Sequence, residues 1–139
     1  MKLKHTLSVK PKSGMTLLEL TVVILVLLSL ISILFIGARA WKKGSDRAAN
    51  ILNIRNVQQA IRGHANMRSL VIGDTLAATD IVGTGKYLNA PTPPNSDIQY
   101  LPGNYAAVVP GIGTLYLTPN YLSTGSADFA PAAATIVEW

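Results

Sequence analysis

"KSGMTLLELTVVILVLLSLISILFIG", residues 12–37, decides the architecture of this 139-residue chain. Every side chain in the range 17–36 is hydrophobic except four: Glu19, Thr21, Ser29 and Ser32. The run is about 20 residues long, which at about 1.5 Å per helical residue matches a hydrocarbon core of about 30 Å. It exceeds the roughly 7–15 apolar residues of a signal peptide. The stretch therefore predicts a membrane-spanning helix with a carboxylate at its start.

Basic residues are concentrated before this run. Of 12 basic side chains, four precede Gly14 with no acid among them: Lys2, Lys4, Lys10 and Lys12. Such a leader favours the cytoplasmic side of a membrane. Further cations follow the run (Arg39, Lys42, Lys43 and Arg47), so the charge difference across it is small. Because Lys86 is the sole basic residue after Arg68, we expect no nucleic-acid binding by the rest of the chain.

A second helical pattern follows in "RAANILNIRNVQQAIRGHANM", residues 47–67. Apolar side chains recur there at spacings of three and four: Ala48, Ile51, Ile54, Val57, Ile61 and Ala65. Polar side chains take much of the other face: Asn50, Asn53, Asn56, Gln59 and Arg62. This periodicity predicts an amphipathic helix that continues the first. Whether the helix breaks at Gly37 or Gly44 is left open by the sequence.

The composition changes after residue 67, where seven of the eight prolines lie. Residues 83–97 read as a loop. Residues 98–101 and 105–109 read as a hairpin, 114–118 as a third strand and 135–139 as a short final strand. The predicted fold is therefore α+β: a long N-terminal α-helix, membrane-spanning in its first half and amphipathic in its second, packed against a small antiparallel β-sheet. The predicted segments are a basic leader (1–14), a membrane or filament-core helix (15–40), its amphipathic continuation (41–67) and a β-rich domain (68–139).

The segment Gly14-Met15-Thr16-Leu17-Leu18-Glu19-Leu20 follows the basic leader directly. It resembles the N-terminus of type IV prepilins and type II secretion pseudopilins, which read G, a hydrophobic residue, then T-L-x-E-L. The resemblance is strong over residues 11–40 and extends more weakly over 41–67. Beyond residue 68 it is limited to architecture.

The resemblance implies a processing site and an assembly site. Prepilin peptidase would cleave after Gly14, where a side chain would obstruct close approach of the backbone, and would methylate the new amine of Met15. Glu19, with Thr16, would serve filament assembly, because its carboxylate can pair with the Met15 amine of a neighbouring copy. The implied partners are that peptidase, copies of the chain and related subunits, an inner-membrane assembly platform and membrane lipid.

The implied location is a single-pass inner-membrane protein with its leader in the cytoplasm, later part of a periplasmic or cell-surface filament. Several features differ from family patterns. Met15 replaces the commoner phenylalanine, no proline lies late in the apolar run, and the chain has no cysteine for the C-terminal pair of many adhesive pilins. No Tyr-Pro loop of the major-pseudopilin kind follows the helix. Pilus or secretion filament, major or minor subunit, all stay open.

Three other interpretations of the N-terminus remain open. Thr16-x-x-Glu19 is also a capping box, a role compatible with assembly. The whole segment could be an uncleaved signal anchor. Ala38-Arg39-Ala40 matches the A-x-A pattern of signal-peptidase cleavage, which would release a protein starting at Trp41. The C-terminal part could also act as a binding module, for adhesion or for DNA uptake.

Other chemistry finds little support in the sequence, and we expect no enzyme activity. Gly83-Thr84-Gly85-Lys86 lacks the upstream glycine and the following Ser or Thr of a phosphate-binding loop. His64 is expected on the surface. Asp74, Asp80 and Asp97 could offer oxygen ligands to calcium, but without the spacing of a tight calcium loop, so no cofactor is expected. Trp41, Lys42 and Lys43 are predicted to anchor the helix at the membrane interface.

Overall fold

The computed structural model describes residue 14, residues 16–123 and residues 125–139. Its helices and strands occur in this order: α1 (Leu17–Arg68), α2 (Ala78–Ile81), β1 (Ile98–Gln99), a 3-10 helix (Pro102–Asn104), β2 (Asn120–Tyr121), a second 3-10 helix (Ser126–Phe129) and α3 (Ala133–Ile136). A long N-terminal helix with a small two-stranded antiparallel sheet confirms the predicted α+β class. Gly37 and Gly44 both lie inside α1. The described residues divide into two compact units, the first ending at Arg39 and the second beginning at Ala40.

The described part of the first unit is the apolar start of α1. This stretch is long and apolar enough to cross a membrane, and none of its most apolar window is buried in the structure. Its three hydroxyl side chains donate to carbonyl oxygens one turn earlier: Thr21 to Leu18 (2.8 Å), Ser29 to Val26 (2.7 Å) and Ser32 to Leu28 (2.8 Å). Hydroxyls bonded in this way suit an apolar medium, because they do not need water as a partner.

In the second unit, α1 supplies one wall of a hydrophobic core. Its buried apolar residues are those of the predicted stripe, Ile54, Val57, Ile61 and Ala65. They pack with buried side chains from later segments: Leu76, Ile81, Val109, Tyr116, Leu117 and Trp139. Ile51 of the predicted stripe is half-buried against this core, whereas Ala48 is exposed, so the predicted apolar face is confirmed from Ile51 onward. Burying a large aliphatic side chain contributes about 1.5–3 kcal/mol, so these contacts hold the loop-rich C-terminal part on the helix.

The C-terminal end of α1 is closed by a local backbone motif. Leu70 N–H donates to Ala65 O (2.8 Å) and Ser69 N–H to Asn66 O (3.4 Å). Ser69 itself adopts φ 56°, the left-handed conformation that glycine usually takes at this position after a helix. This is a Schellman motif, and the half-buried Leu70 that follows packs on the core beside Ala65. The helix ends here because the motif turns the chain back over its own last turn.

The strand pairing differs from the predicted hairpin. Ile98–Gln99 pairs antiparallel with Asn120–Tyr121, not with residues 105–109. The segments 105–109 and 114–118 do approach each other, but through an isolated Tyr105–Leu117 bridge flanked by two backbone hydrogen bonds. The predicted final strand is wrong, because residues 133–136 form α3. Alternation of apolar residues marked these segments as extended but did not specify their partners.

Three polar side chains of α1 are buried, which the sequence pattern did not anticipate. Asn50 was predicted on the polar face but is fully buried. It donates to Phe129 O (2.9 Å) and Tyr121 Oη (3.3 Å) and accepts from Tyr100 Oη (2.7 Å). Gln58 donates to Thr114 O and accepts from Tyr116 N–H. His64, predicted on the surface, is also buried, with its ring edge-on to Tyr87.

Two carboxylates attach C-terminal loops to α1. Asp46 accepts from Asn95 Nδ2 (3.0 Å) and pairs with Lys42 Nζ (3.2 Å). Asp128 pairs with Lys43 Nζ (2.8 Å). The hydrogen bond from Asn95, more than the lysine, holds the pKa of Asp46 below its usual value of 3.8, against an opposing effect of burial. The hydrogen bond from Lys43 lowers the pKa of Asp128.

Acidification is therefore expected to loosen these attachments. A carboxyl whose pKa is lowered by folding stabilises the fold above its unfolded pKa and loses that contribution as the pH falls through the folded pKa. We expect the urea midpoint of unfolding to drop below about pH 4. In Asp46→Asn the free energy of unfolding should fall less on acidification than in the wild type. The difference should be at most about 1 kcal/mol, as for other surface ion pairs. An Asp46→Asn variant whose stability falls on acidification as much as that of the wild type would contradict the assignment of this pH dependence to Asp46.

Candidate functional site at the start of helix α1

The predicted processing and assembly residues lie at the start of α1, in the first unit. Gly14 is exposed, and an added Cβ would meet no atom within 4 Å. Met15 and the leader residues 1–13 lie outside the described residues. Thr16 is also exposed and immediately precedes the helix, which begins at Leu17. Open space around Gly14 means that, within the described residues, packing does not require a glycine there.

Thr16 and Glu19 form the reciprocal hydrogen bonds of a capping box. Thr16 N–H donates to Glu19 Oε2 (3.0 Å), and Glu19 N–H donates to Thr16 Oγ1 (3.3 Å). Leu20 N–H donates to Thr16 O (3.2 Å), which closes the first turn. The capping-box interpretation is therefore confirmed. These bonds satisfy backbone donors that a helix start would otherwise leave open.

The cap leaves part of the Glu19 carboxylate free to act elsewhere. Its Oε2 accepts the Thr16 amide, and its Oε1 has no hydrogen bond to any described residue. The negative charge lies at the positive end of the helix dipole, where carboxylates are stabilised by about 0.3–1 kcal/mol. The neighbouring Leu17 and Leu18 are 81% and 75% exposed. A fixed carboxylate with a free oxygen on an uncovered apolar surface can receive one cationic partner.

The predicted membrane-interface residues belong to the second unit. Trp41 is 81% exposed. The two lysines beside it are engaged within the unit: Lys42 with Asp46 and Lys43 with Asp128. Lys43 Nζ also lies 5.9 Å from the centre of the Phe129 ring.

The acids considered for calcium are dispersed. Asp74 Oδ2 accepts from Val71 N–H (2.8 Å) in a local turn, and Asp97 N–H donates to Asn95 Oδ1 (3.0 Å). Asp80 lines a surface pocket. Across residues 16–123 and 125–139, together with Gly14, no group of three or more acidic, histidine or cysteine side chains comes together as a metal site.

Comparisons with models of known families, with curated proteins and with solved structures found no match to this chain.

Proposed function

We propose that this chain is a structural subunit of a type IV pilus-like or type II secretion pseudopilus filament. In this proposal a prepilin peptidase removes residues 1–14 and methylates the Met15 amine. The subunit waits in the inner membrane with its C-terminal domain outside, and then enters a periplasmic or cell-surface filament through α1. It performs no catalysis; the motive force comes from other chains.

The observation that carries the proposal is the uncovered apolar start of α1 with a capped carboxylate at its beginning. None of the most apolar window of this stretch is buried, and its large hydrophobic side chains are exposed. A contiguous apolar surface of this size needs lipid or protein around it. Lipid suits the stored subunit, and copies of the same helix suit the filament.

Glu19 gives this surface a preferred register. A lone carboxylate in an apolar bundle is unfavourable by roughly 2.5–3.5 kcal/mol or more. A methylated amine at Met15 of the next copy would supply a cation of the right sign, and a helix shifted from that register would leave the charge unpaired. The capping bond to Thr16 holds the carboxylate in place before the neighbour arrives.

The test is the intact mass and N-terminal sequence of the full chain after co-expression with a prepilin peptidase. We expect a product that starts at methylated Met15. Gly14→Trp should block this processing completely, because the bulky side chain prevents close approach to the peptidase. Since no atom within the described residues lies near a Cβ at Gly14, this variant should fold normally.

The matched control is wild-type chain with a catalytically inactive peptidase, which should remain uncut. A product that starts at Trp41 would overturn the proposal in favour of signal-peptidase release. An uncut chain with active peptidase would identify a signal anchor instead.

A further inference from the structure

A surface pocket of about 540 Å³ lies in the second unit, between the last turns of α1 on one side and α2 with the segment that follows it on the other. It is lined by His64, Arg68, Asp80, Gly85, Lys86 and Tyr87. This volume lies in the usual range for small-molecule sites. None of the functions considered above uses it.

The wall opposite α1 is a fixed turn. Gly83 N–H donates to Leu88 O (2.8 Å), Leu88 N–H to Ile81 O (3.0 Å) and Lys86 N–H to Gly83 O (3.2 Å). Gly83 and Gly85 take φ values of 144° and 74°, which side chains rarely adopt. Lys86 Cγ lies 3.6 Å from the position of a Cβ at Gly83. The stem of Lys86 therefore lies over this glycine, in a turn that backbone hydrogen bonds hold together.

Tyr87 is also held in place while half of it remains exposed. Its ring meets the buried His64 ring edge-on, with centres 5.1 Å apart, and its hydroxyl donates to Met67 Sδ (3.7 Å). The side chain is nevertheless 48% exposed. A tyrosine held in this way offers an apolar ring face and a polar hydroxyl. A sugar ring has matching surfaces, with C–H groups on its faces and hydroxyl groups around its edge.

The charges in the pocket lack partners among the residues that the structure describes. Arg68 and Lys86 form no ion pair with any of those residues, and neither does Asp80. Lys86 is the sole basic residue after Arg68 in the sequence, yet the fold places it on the same pocket as Arg68. With Asp80, the lining carries two cations and one carboxylate, so a net positive charge remains that favours a ligand with an anionic group.

We propose that this pocket binds a sugar that carries a carboxylate or a phosphate group. Arg68 and Lys86 take the anionic group, Tyr87 packs on the face of the sugar ring, and Asp80 accepts from its hydroxyls. A plain inorganic anion would use only the two cations. A neutral sugar would leave both cations unpaired. This assignment does not depend on the filament proposal, and the two can fail separately.

The experiment is calorimetric titration of the full chain in detergent micelles with glucuronate, glucose 6-phosphate, glucose and inorganic phosphate. We expect glucuronate and glucose 6-phosphate to bind with Kd of about 1 mM or below, and glucose at least about tenfold more weakly. Lys86→Gln and Arg68→Gln should each weaken the anionic sugars about tenfold. Arg62→Gln removes a cation of the same helix that does not line this pocket, and should change nothing.

Asp80→Asn separates sugar recognition from simple anion binding. Removing the carboxylate relieves repulsion of any anion but loses a strong acceptor for sugar hydroxyls, so the ratio of glucuronate to phosphate affinity should fall. Absence of binding by both anionic sugars at about 10 mM overturns the proposal. Equal affinity for phosphate and glucuronate, unchanged in Asp80→Asn, overturns it in favour of a nonspecific anion site. Equal loss in Arg62→Gln and Lys86→Gln overturns it as a diffuse effect of charge.

Discussion

Glu19→Gln is expected to abolish incorporation of the subunit into filaments while leaving the start of α1 folded. A glutamine can still accept the Thr16 amide hydrogen bond, because the capping box tolerates Glu or Gln at this position. The substitution removes only the negative charge. If the proposed pairing with the Met15 amine holds, the amine of the neighbouring copy is then left unpaired in an apolar bundle. Breaking one partner of a buried pair costs about 3–5 kcal/mol, which corresponds to more than a hundredfold at each contact.

Thr16→Ala is the matched control, because it affects the cap and keeps the charge. It removes the hydroxyl that accepts the Glu19 amide, at a cost of about 0.5–2 kcal/mol to the helix start. We expect filaments to form at a moderately reduced level. Glu19→Ala removes both cap and charge and should match Glu19→Gln. Incorporation is measured as the fraction of subunit in sheared filaments, normalised to processed subunit in the membrane.

The opposite ranking would refute the pairing. Normal incorporation of Glu19→Gln together with failure of Thr16→Ala would make the carboxylate a helix cap alone. Processing must be followed in each variant by intact mass, because an uncleaved subunit would fail to assemble for a different reason. A processed Glu19→Gln subunit that stays in the membrane is the informative result.

Helix α1 could be predicted from the sequence because local rules govern it. The capping box at Thr16 and Glu19 and the stripe through Ile54 and Ile61 depend on spacings of three or four residues, and the apolar run depends on its length and composition. The structure has all three features. The end of the helix was predicted within one residue, although the Schellman motif at Ser69 had no glycine to announce it.

The arrangement after residue 68 could be predicted only in kind. The loop over residues 83–97 was expected from its glycines and prolines, and the structure has no helix or strand there. The pairing of β1 with β2 joins residues more than 20 positions apart. Pairing between strands so far apart in the sequence depends on packing over the whole unit. Because no short turn joins the two strands, the sequence has no local pattern that predicts their pairing.

The spacing of the buried polar residues along α1 indicated that they face the core, but their polarity pointed to the solvent-exposed face. Asn50 and Gln58 each lie four residues from Ile54, and His64 lies three residues after Ile61. These spacings place all three on the buried stripe of the helix. Polarity alone suggested the outer face. Their partners are backbone and tyrosine groups of loops that the sequence could not position.

Asn50→Ala is expected to lower the free energy of unfolding of the C-terminal unit by about 2–3 kcal/mol. Each buried group that loses its partner costs about 1–3 kcal/mol. The Phe129 carbonyl would lose its bond to Nδ2, and the hydroxyls of Tyr100 and Tyr121 would lose theirs to the same amide. The better helix propensity of alanine offsets only about 0.5 kcal/mol. Burial raises the pKa of both tyrosines, so both hydroxyls are protonated at neutral pH; Tyr100 Oη donates to Asn50, and Tyr121 Oη accepts from it.

Asn56→Ala is the matched control on the same helix. Asn56 is half-buried, and no hydrogen bond joins its side chain to the described residues. This change should alter stability by less than about 0.5 kcal/mol. Urea unfolding can be followed by the fluorescence of Trp139, which is buried in the core, in a Trp41→Phe background. The far-ultraviolet signal is less suitable, because the apolar start of α1 is expected to remain helical in detergent.

Asn50→Asp keeps the shape of the side chain and removes its hydrogen-bond donor. An aspartate fills nearly the same volume and still accepts from Tyr100, but it cannot donate to Phe129 O when ionised. Its carboxyl would be buried, so its pKa should rise above that of the unfolded chain. A group with a raised pKa of this kind destabilises the fold progressively as the pH rises above the unfolded pKa of about 3.9. Asn50→Asp should therefore be least stable relative to wild type at neutral pH and approach it near pH 4. An equal loss at both pH values would contradict this prediction, because it would show that ionisation of a buried carboxyl at position 50 does not govern the stability of the link between helix α1 and the C-terminal loops.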